Sequence, residues 1–279
     1  MKPLGATKVK GVSEPVNVYE VTGLGPLRTR LQRSAGRGLT KFVGREREME
    51  AMKHAAAQAQ APIKIGFIAE LSGPQGALGQ DQYDAFMMVV ERNGGKLGGV
   101  AVQVLREDSQ LKPDVATQIV QKLIEKENVP IITGITFSNV MMAVHKPITE
   151  KGVFLIGSNA GPAPIAGAQC SPFQFITSWQ NDMQAEVVGK YATDKGIKRV
   201  LAMAPNYQAG KDFVAGFKRY YKGEVVDEIY TPLNQPDFSA ELAQVAASKP
   251  DAVFVFYPGG LGVNFVRQYQ QAGLLGKIA

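Results

Sequence analysis

From Pro62 onward the chain alternates short, nearly unbroken apolar runs with longer segments whose apolar residues recur every three or four positions. The runs at 63–69, 100–105, 130–133 and 153–156 read as strands. Between them, Ala85, Phe86, Val89 and Val90 share one face of a helix over about 80–94, and Ile119, Val120, Leu123 and Ile124 form the buried stripe of a helix opened by Pro113. A third helix is predicted over 139–150, followed after its strand by a Gly/Pro/Ala-rich crossing at 157–178. The pattern then restarts, with helices at 181–195, 210–221 and 238–248, strands at 199–204, 224–230 and 252–256, and a last helix from 261. Strands apolar on both faces that alternate with amphipathic helices imply parallel sheets covered on both sides. Two such series separated by a loop imply an α/β protein of two doubly wound lobes, 62–178 and 179–279.

The first 60 residues have a different texture. Apolar and polar residues alternate from Thr7 to Val21 around a hinge near Gly11 to Pro15, which reads as two short strands of a hairpin within 1–24. Residues 25–61 form a basic linker, with four arginines between 28 and 37, that runs into a stretch of helix formers from Gly44 to Gln60.

Charge follows this division. The formal charge of +6 arises entirely from the first 60 residues, where eleven Lys and Arg face five Glu, and the remainder carries 20 of each sign. A pI near 9.2 therefore reports one segment and gives no basic face for nucleic acid on the main body. No apolar run approaches the ~18 residues that crossing a bilayer requires, so a membrane-spanning reading drops out. With Cys170 as the one cysteine and His54 and His145 as the two histidines, no intramolecular disulfide can form and a His/Cys metal site has too few ligands.

In open α/β sheets, ligands bind beyond the carboxyl ends of the strands, so the loops there carry the candidate chemistry. The segment Glu70-Leu-Ser-Gly-Pro-Gln-Gly-Ala-Leu-Gly79 lacks the G-x-G-x-x-G spacing of a dinucleotide turn and reads as a ten-residue ligand-lining loop. At Thr133-Gly-Ile-Thr-Phe-Ser-Asn139 a hydroxyl stands at a helix start, where free N–H groups accept an anion. Ser138 there has two readings, an anion ligand or a plain helix cap. Gly157-Ser-Asn-Ala-Gly161 likewise reads as a turn that lets a ligand approach backbone groups or as an ordinary polar loop. A serine hydrolase is disfavoured. G-x-S-x-G is absent, and His145, seven residues after Ser138 on the same helix, lies about 10 Å from it.

Two resemblances follow from these residues. Lys10-Gly-Val-Ser-Glu-Pro-Val-Asn-Val-Tyr-Glu-Val21, Gly25-Pro-Leu-Arg and Phe42-Val-Gly-Arg-Glu-Arg-Glu-Met49 resemble the junction between cyclase and ATPase domains in bacterial class III adenylate/guanylate cyclases, over 1–58. Neither metal aspartates nor a phosphate loop accompany them, so no enzyme activity is expected. Ile63-Lys-Ile-Gly-Phe-Ile-Ala-Glu-Leu-Ser-Gly-Pro74, Gly94-Gly, Glu107-Asp-Ser109, Gly134-Ile-Thr-Phe-Ser-Asn139, Asn206-Tyr-Gln-Ala-Gly-Lys-Asp212 and Asp237-Phe-Ser239 resemble type I periplasmic binding proteins, in the Leu/Ile/Val branch of ABC-transporter substrate-binding proteins.

The second resemblance implies a clamshell over 62–279 that closes on a small carboxylate, a branched-chain or related amino acid or an aromatic acid, and is read by a membrane permease, with no cofactor. It implies that Ser138, with neighbouring Asn139, holds the ligand carboxylate, and that Asn159, Ala160 and Gly161 form the contacting turn. Tyr207 lies over the ligand, Tyr257 and Gly259 come from the next strand-end loop, and Leu71, Gln75 and Leu78 line the side-chain end. Phe137 stacks on an aromatic ligand. Family members usually carry Thr or Ser in the 159–161 turn, and this departure puts amino-acid specificity in doubt.

The resemblance also implies a second lobe cut short at Ala279, with three strands and an exposed edge. It implies a periplasmic protein. An A-x-A-like run precedes Pro62 without an apolar segment before it, so the chain as written is expected to stay in the cytoplasm and to be a fusion. A cyclase–ATPase signalling fragment, or a sensor built on the same binding fold, is the alternative.

Overall fold

The computed structural model describes residues 2–7, 16–20, 47, 50 and 61–279. The linker at 25–43, the hairpin hinge and nearly all of the helix expected over 44–60 lie outside the described residues. By its contacts the chain divides into Met1–Glu46 and Arg47–Ala279. In the first unit β1 (Lys2–Thr7) pairs antiparallel with β2 (Val16–Glu20), Thr7 opposite Val16, with a register shift between Pro3 and Gly5. The first strand therefore lies before Thr7, where the sequence pattern places its start.

In the second unit, lobe one is a six-stranded sheet in the order β4-β5-β3-β6-β7-β8. Its elements are β3 (Ile63–Ala69), α1 (Gly76–Arg92), β4 (Lys96–Leu97), β5 (Val100–Asp108), α2 (Pro113–Glu125), β6 (Ile131–Gly134), α3 (Ser138–Thr149), β7 (Phe154–Gly157), α4 (Ala163–Ala166) and β8 (Gln174–Ile176). All pairs are parallel except β4 with β5. Lobe two contains α5 (Asn181–Asp194), β9 (Arg199–Pro205), α6 (Gln208–Tyr220), β10 (Glu224–Thr231), α7 (Ser239–Ser248), β11 (Ala252–Val255) and α8 (Gly259–Gln271), with a parallel sheet ordered β10-β9-β11.

The central strands β3, β6 and β9 are buried on two faces, which is why they read as continuous apolar runs. In lobe one Ile68, Ile132 and Leu155 pack with Leu123 of α2 and Val144 and Ile148 of α3. In lobe two the alternation along β9 sends Val200 and Ala202 to a core with Phe217 and Phe254, while Leu201 and Met203 join Val245 and Phe265 on the other face. The outer edge of β11 is met at its start by the last residue of the chain: Val253 N donates to Ala279 O at 2.8 Å, and Ala279 N to Asp251 O at 3.2 Å.

Two sequence expectations change. The glycine-rich loop after β3 ends at Gln75, because α1 begins at Gly76. A Cβ on Gly79 would lie 1.9 Å from Glu70 O, so glycine is required for the first turn of α1 to rest on the strand end. Composition that reads as loop is here a close helix–strand contact. The crossing at 157–178 contains α4 and the edge strand β8, the latter only 3 residues long and too short to leave a periodic signal.

Candidate functional site

Gly134, at φ 98°, and Ile135, at φ 60°, turn the chain sharply between β6 and α3. A β-branched residue in the left-handed region costs of order 1–3 kcal/mol and persists only where its surroundings over-determine it. Ile135 is fully buried, its N–H donates to Ile68 O at 2.6 Å, and its carbonyl accepts from Ala160 N at 3.1 Å. The strained turn aims Thr136, Phe137 and Ser138 into the cleft between the lobes.

There they border a cavity of about 190 Å³. Lobe one supplies Leu78, the Thr136–Ser138 turn, Asn159 and Ala160, while Tyr207, Phe213, Phe256 and Gly259 come from lobe two, and Trp179, Asn181 and Gln184 from the crossing and the start of α5. No lining side chain is ionisable as an acid or base in the neutral range. Helices α3, α5, α6 and α8 all begin at this wall, and their N-cap residues Phe137, Gln180, Tyr207 and Pro258 make no side-chain capping bond. Uncapped first turns and their helix dipoles favour negative charge.

Ser138 is not the N-cap of α3; that position belongs to Phe137. Its hydroxyl, 2% exposed, accepts from Asn181 Nδ2 at 3.1 Å. Aromatic rings surround it. Phe137 and Tyr207 face each other across the lobes at 6.2 Å between centroids, and Phe256 stacks on Phe213 at 3.8 Å and on Tyr207 at 6.5 Å. Burial, with Glu70 and Asp212 nearby, pushes the Tyr207 phenol well above its ordinary value, so the hydroxyl stays protonated.

The remaining residues picked from the sequence sit elsewhere. Asn139 faces away, its Nδ2 donating to Leu111 O at 3.3 Å. Gly161 supports the crossing instead of bordering the cavity: a Cβ there would lie 1.8 Å from Trp179 O, and Gly161 O accepts from Asn181 N at 2.9 Å. Leu71 is tied by its N–H to Asp108 Oδ1 at 2.9 Å. Gln75 borders a second, wider cavity of about 560 Å³ formed by loops of both lobes, beside Leu111, Asn234 and Gly260. Tyr257 turns its ring into the lobe-two core against Phe238 and Phe265, where burial pushes its phenol up to about 12. Its chain neighbour Phe256 takes the cavity position. A further surface depression, about 650 Å³, lies between α7 and α8 and is bordered by none of these residues.

Sequence reasoning missed Thr136, Trp179, Asn181, Gln184, Phe213 and Phe256. It also missed Glu70, a fully buried carboxyl whose Oε1 accepts from Ser109 Oγ at 3.0 Å while Oε2 has no partner. Burial raises its pKa, opposed by the hydroxyls of Thr136 and Ser109. Among the described residues no group of His, Cys, Asp and Glu gathers to hold a metal, and no helix is long and apolar enough to cross a membrane.

Two α/β lobes meeting over a cleft lined by strand ends and helix starts define the type I periplasmic binding protein fold. Residues 62–279 match the periplasmic binding protein family, and the chain belongs to it. It is 30% identical over 217 residues to Leu/Ile/Val-binding protein homolog 6 of Brucella melitensis, covering 76% of this chain and 55% of that one. Among solved structures, a solute-binding protein of an ABC transporter from R. palustris in complex with benzoate is 33% identical with a TM-score of 0.74, covering 77% of this chain and 60% of that one. The branched-chain amino acid binding protein LivJ from Streptococcus pneumoniae, in complex with isoleucine, is 25% identical with a TM-score of 0.68, covering 77% and 62%. The chain thus spans little more than half the length of the Brucella relative. The match begins at residue 62 and leaves the segment that resembles a cyclase junction outside it.

Proposed function

We propose that this chain recognises a solute for an ABC importer in the periplasm, without catalysis, and that its ligand is an aromatic carboxylate held between lobes 62–178 and 179–279. The observation that carries this reading is the chemistry of the 190 Å³ cavity: Phe137, Tyr207 and Phe256 beside uncapped helix starts and the Ser138 hydroxyl, with no charged side chain on its wall. Rings take up an aromatic body, and N–H and O–H donors take up a carboxylate. An α-amino acid brings an ammonium group as well, and the described wall offers it no carboxylate. The benzoate-bound relative supports the aromatic reading, and the Leu/Ile/Val-binding relatives support the amino-acid one.

The lobes would close by hinge motion near 178–181, where Ser178 Oγ donates to Asn159 O at 2.9 Å. The test is a thermal-shift series on the whole chain with benzoate, 4-hydroxybenzoate, leucine and isoleucine, since a ligand that binds only the folded state raises its melting temperature. The benzoates are expected to raise it. A rise with leucine or isoleucine alone overturns the aromatic assignment.

A further inference from the structure

Behind the cavity wall a buried chain of hydrogen bonds crosses the cleft. Asn181 Nδ2 donates to Ser138 Oγ at 3.1 Å and to Asp212 Oδ2 at 3.0 Å. Asp212 Oδ2 also accepts from Ala163 N at 3.0 Å, and its Oδ1 from Gln208 Nε2 at 2.7 Å. Ser138, Asn181 and Asp212 are 2%, 2% and 6% exposed. Asp212 sits on α6 of lobe two, Ser138 and Ala163 belong to lobe one, and Asn181 opens α5 where the crossing ends.

The chemistry fixes the direction of each bond. An ionised carboxylate only accepts, so the Asn181 amide must turn its NH2 toward Asp212, and the same nitrogen reaches Ser138. Both amide hydrogens are then committed. Ser138 Oγ is an acceptor from Asn181, and its own proton is left to point elsewhere, toward the cavity that Ser138 borders.

We infer that Asn181 and Asp212 are positioning residues for carboxylate capture: Asp212 orients the Asn181 amide, and Asn181 holds the Ser138 hydroxyl as a donor aimed into the cavity. Without Asn181 the hydroxyl is free to spend its proton on another buried acceptor. Because the orienting carboxylate comes from one lobe and the hydroxyl from the other, the donor is set only when the lobes are together, which ties carboxylate affinity to closure. The inference rests on the reading that the cavity takes a carboxylate.

The experiment is a double-mutant cycle with benzoate, and its neutral analogue benzamide, as probes. Binding is followed by the fluorescence of Trp179, the chain's one tryptophan, on the cavity wall. Ser138→Ala and Asn181→Ala are each expected to weaken benzoate by about tenfold or more, and the double variant by no more than Ser138→Ala alone, because Asn181 acts through the hydroxyl. Losses that multiply in the double variant overturn the inference.

Asp212→Ala supplies an independent sign test. Removing a buried negative charge beside an anion site strengthens anion binding on electrostatic grounds, whereas loss of the orienting acceptor weakens it. Weaker benzoate binding is expected, with a smaller loss for benzamide. Benzoate affinity equal to or above that of the wild type overturns the assignment. Asp212→Asn keeps an oxygen for Asn181 if the Gln208 amide turns round, and should restore benzoate binding to near the wild-type level. Equal losses of benzoate and benzamide in all variants mark a structural role only and also reject the proposal. Absence of benzoate binding by the wild type defeats the carboxylate reading itself, which separates the two failures.

Discussion

Replacing Ser138 by alanine tests the carboxylate site most directly. The substitution removes one hydroxyl that is 2% exposed and borders the cavity, and it opens no large void. A hydrogen bond to a charged partner contributes about 1.5–3 kcal/mol, and one to a neutral partner about 0.5–1.5 kcal/mol. Benzoate affinity should therefore fall by about 10- to 150-fold, and benzamide affinity by about 2- to 12-fold. The variant also leaves one Nδ2 hydrogen of Asn181, itself 2% exposed, without its acceptor. That penalty falls on the protein with and without ligand, so it lowers the melting temperature of both and leaves the ratio of benzoate to benzamide affinity as the quantity to read. Titration followed by Trp179 fluorescence supplies both dissociation constants. A variant that melts cooperatively and binds benzoate as tightly as the wild type refutes the idea that Ser138 donates to the ligand.

Three further outcomes are expected. Phe256→Leu removes the ring stacked at 3.8 Å on Phe213 and should weaken an aromatic acid by about 0.5–1.5 kcal/mol beyond any effect on an aliphatic one, measured by the same titration. Gly161→Ala places a Cβ 1.8 Å from Trp179 O and should lower the melting temperature while weakening every ligand alike, because the crossing must spread to admit it; selective loss of carboxylates would instead make Gly161 a ligand contact. Glu70 has a folded-state pKa raised above 4.5 by burial, so its contribution to stability is present below about that pH and is lost as pH rises through the folded value. Glu70→Gln, always neutral, should gain in melting temperature over the wild type progressively from pH 4.5 upward, and melts between pH 4 and 8 that run parallel would reject this.

The α/β alternation was legible because the central strands β3, β6 and β9 are buried on two faces and the helices on one, so burial writes itself into the spacing of apolar residues. Ile63–Ala69 and the helix start at Asn181 follow that pattern to the residue. The elements that escaped it are those whose shape is set by close contact: Gly79 needs a bare backbone against Glu70, and Gly76 packs closely on Leu71, facts that no propensity encodes. β8 is an edge strand held to β7 by pairing at Leu155, Ile156 and Gly157, and 3 residues cannot show a period.

The site divides along the same line. Residues at helix starts and strand ends, such as Ser138, Asn159, Ala160 and Tyr207, could be placed on the cavity because their backbone position alone brings them there. Side chains chosen by parity could not. β11 sends Phe254 toward Phe217 and Val253 toward the opposite core, so by the same alternation Phe256, two positions past Phe254, reaches the cavity and Tyr257, four past Val253, the interior. Strand boundaries carry an uncertainty of a residue or more, and an error of one exchanges the two faces. The Asn181–Asp212 pair was hidden for another reason. Each residue is an ordinary polar group at a helix start or within a helix, 31 positions apart, and only the meeting of the lobes makes Asp212 the partner that tells the Asn181 amide which way to point. A cavity-lining position can be read from one segment of sequence. The orientation of its proton is a property of the closed pair of lobes, so substitutions at Asp212, remote in sequence from Ser138, are where carboxylate selectivity should prove most open to change.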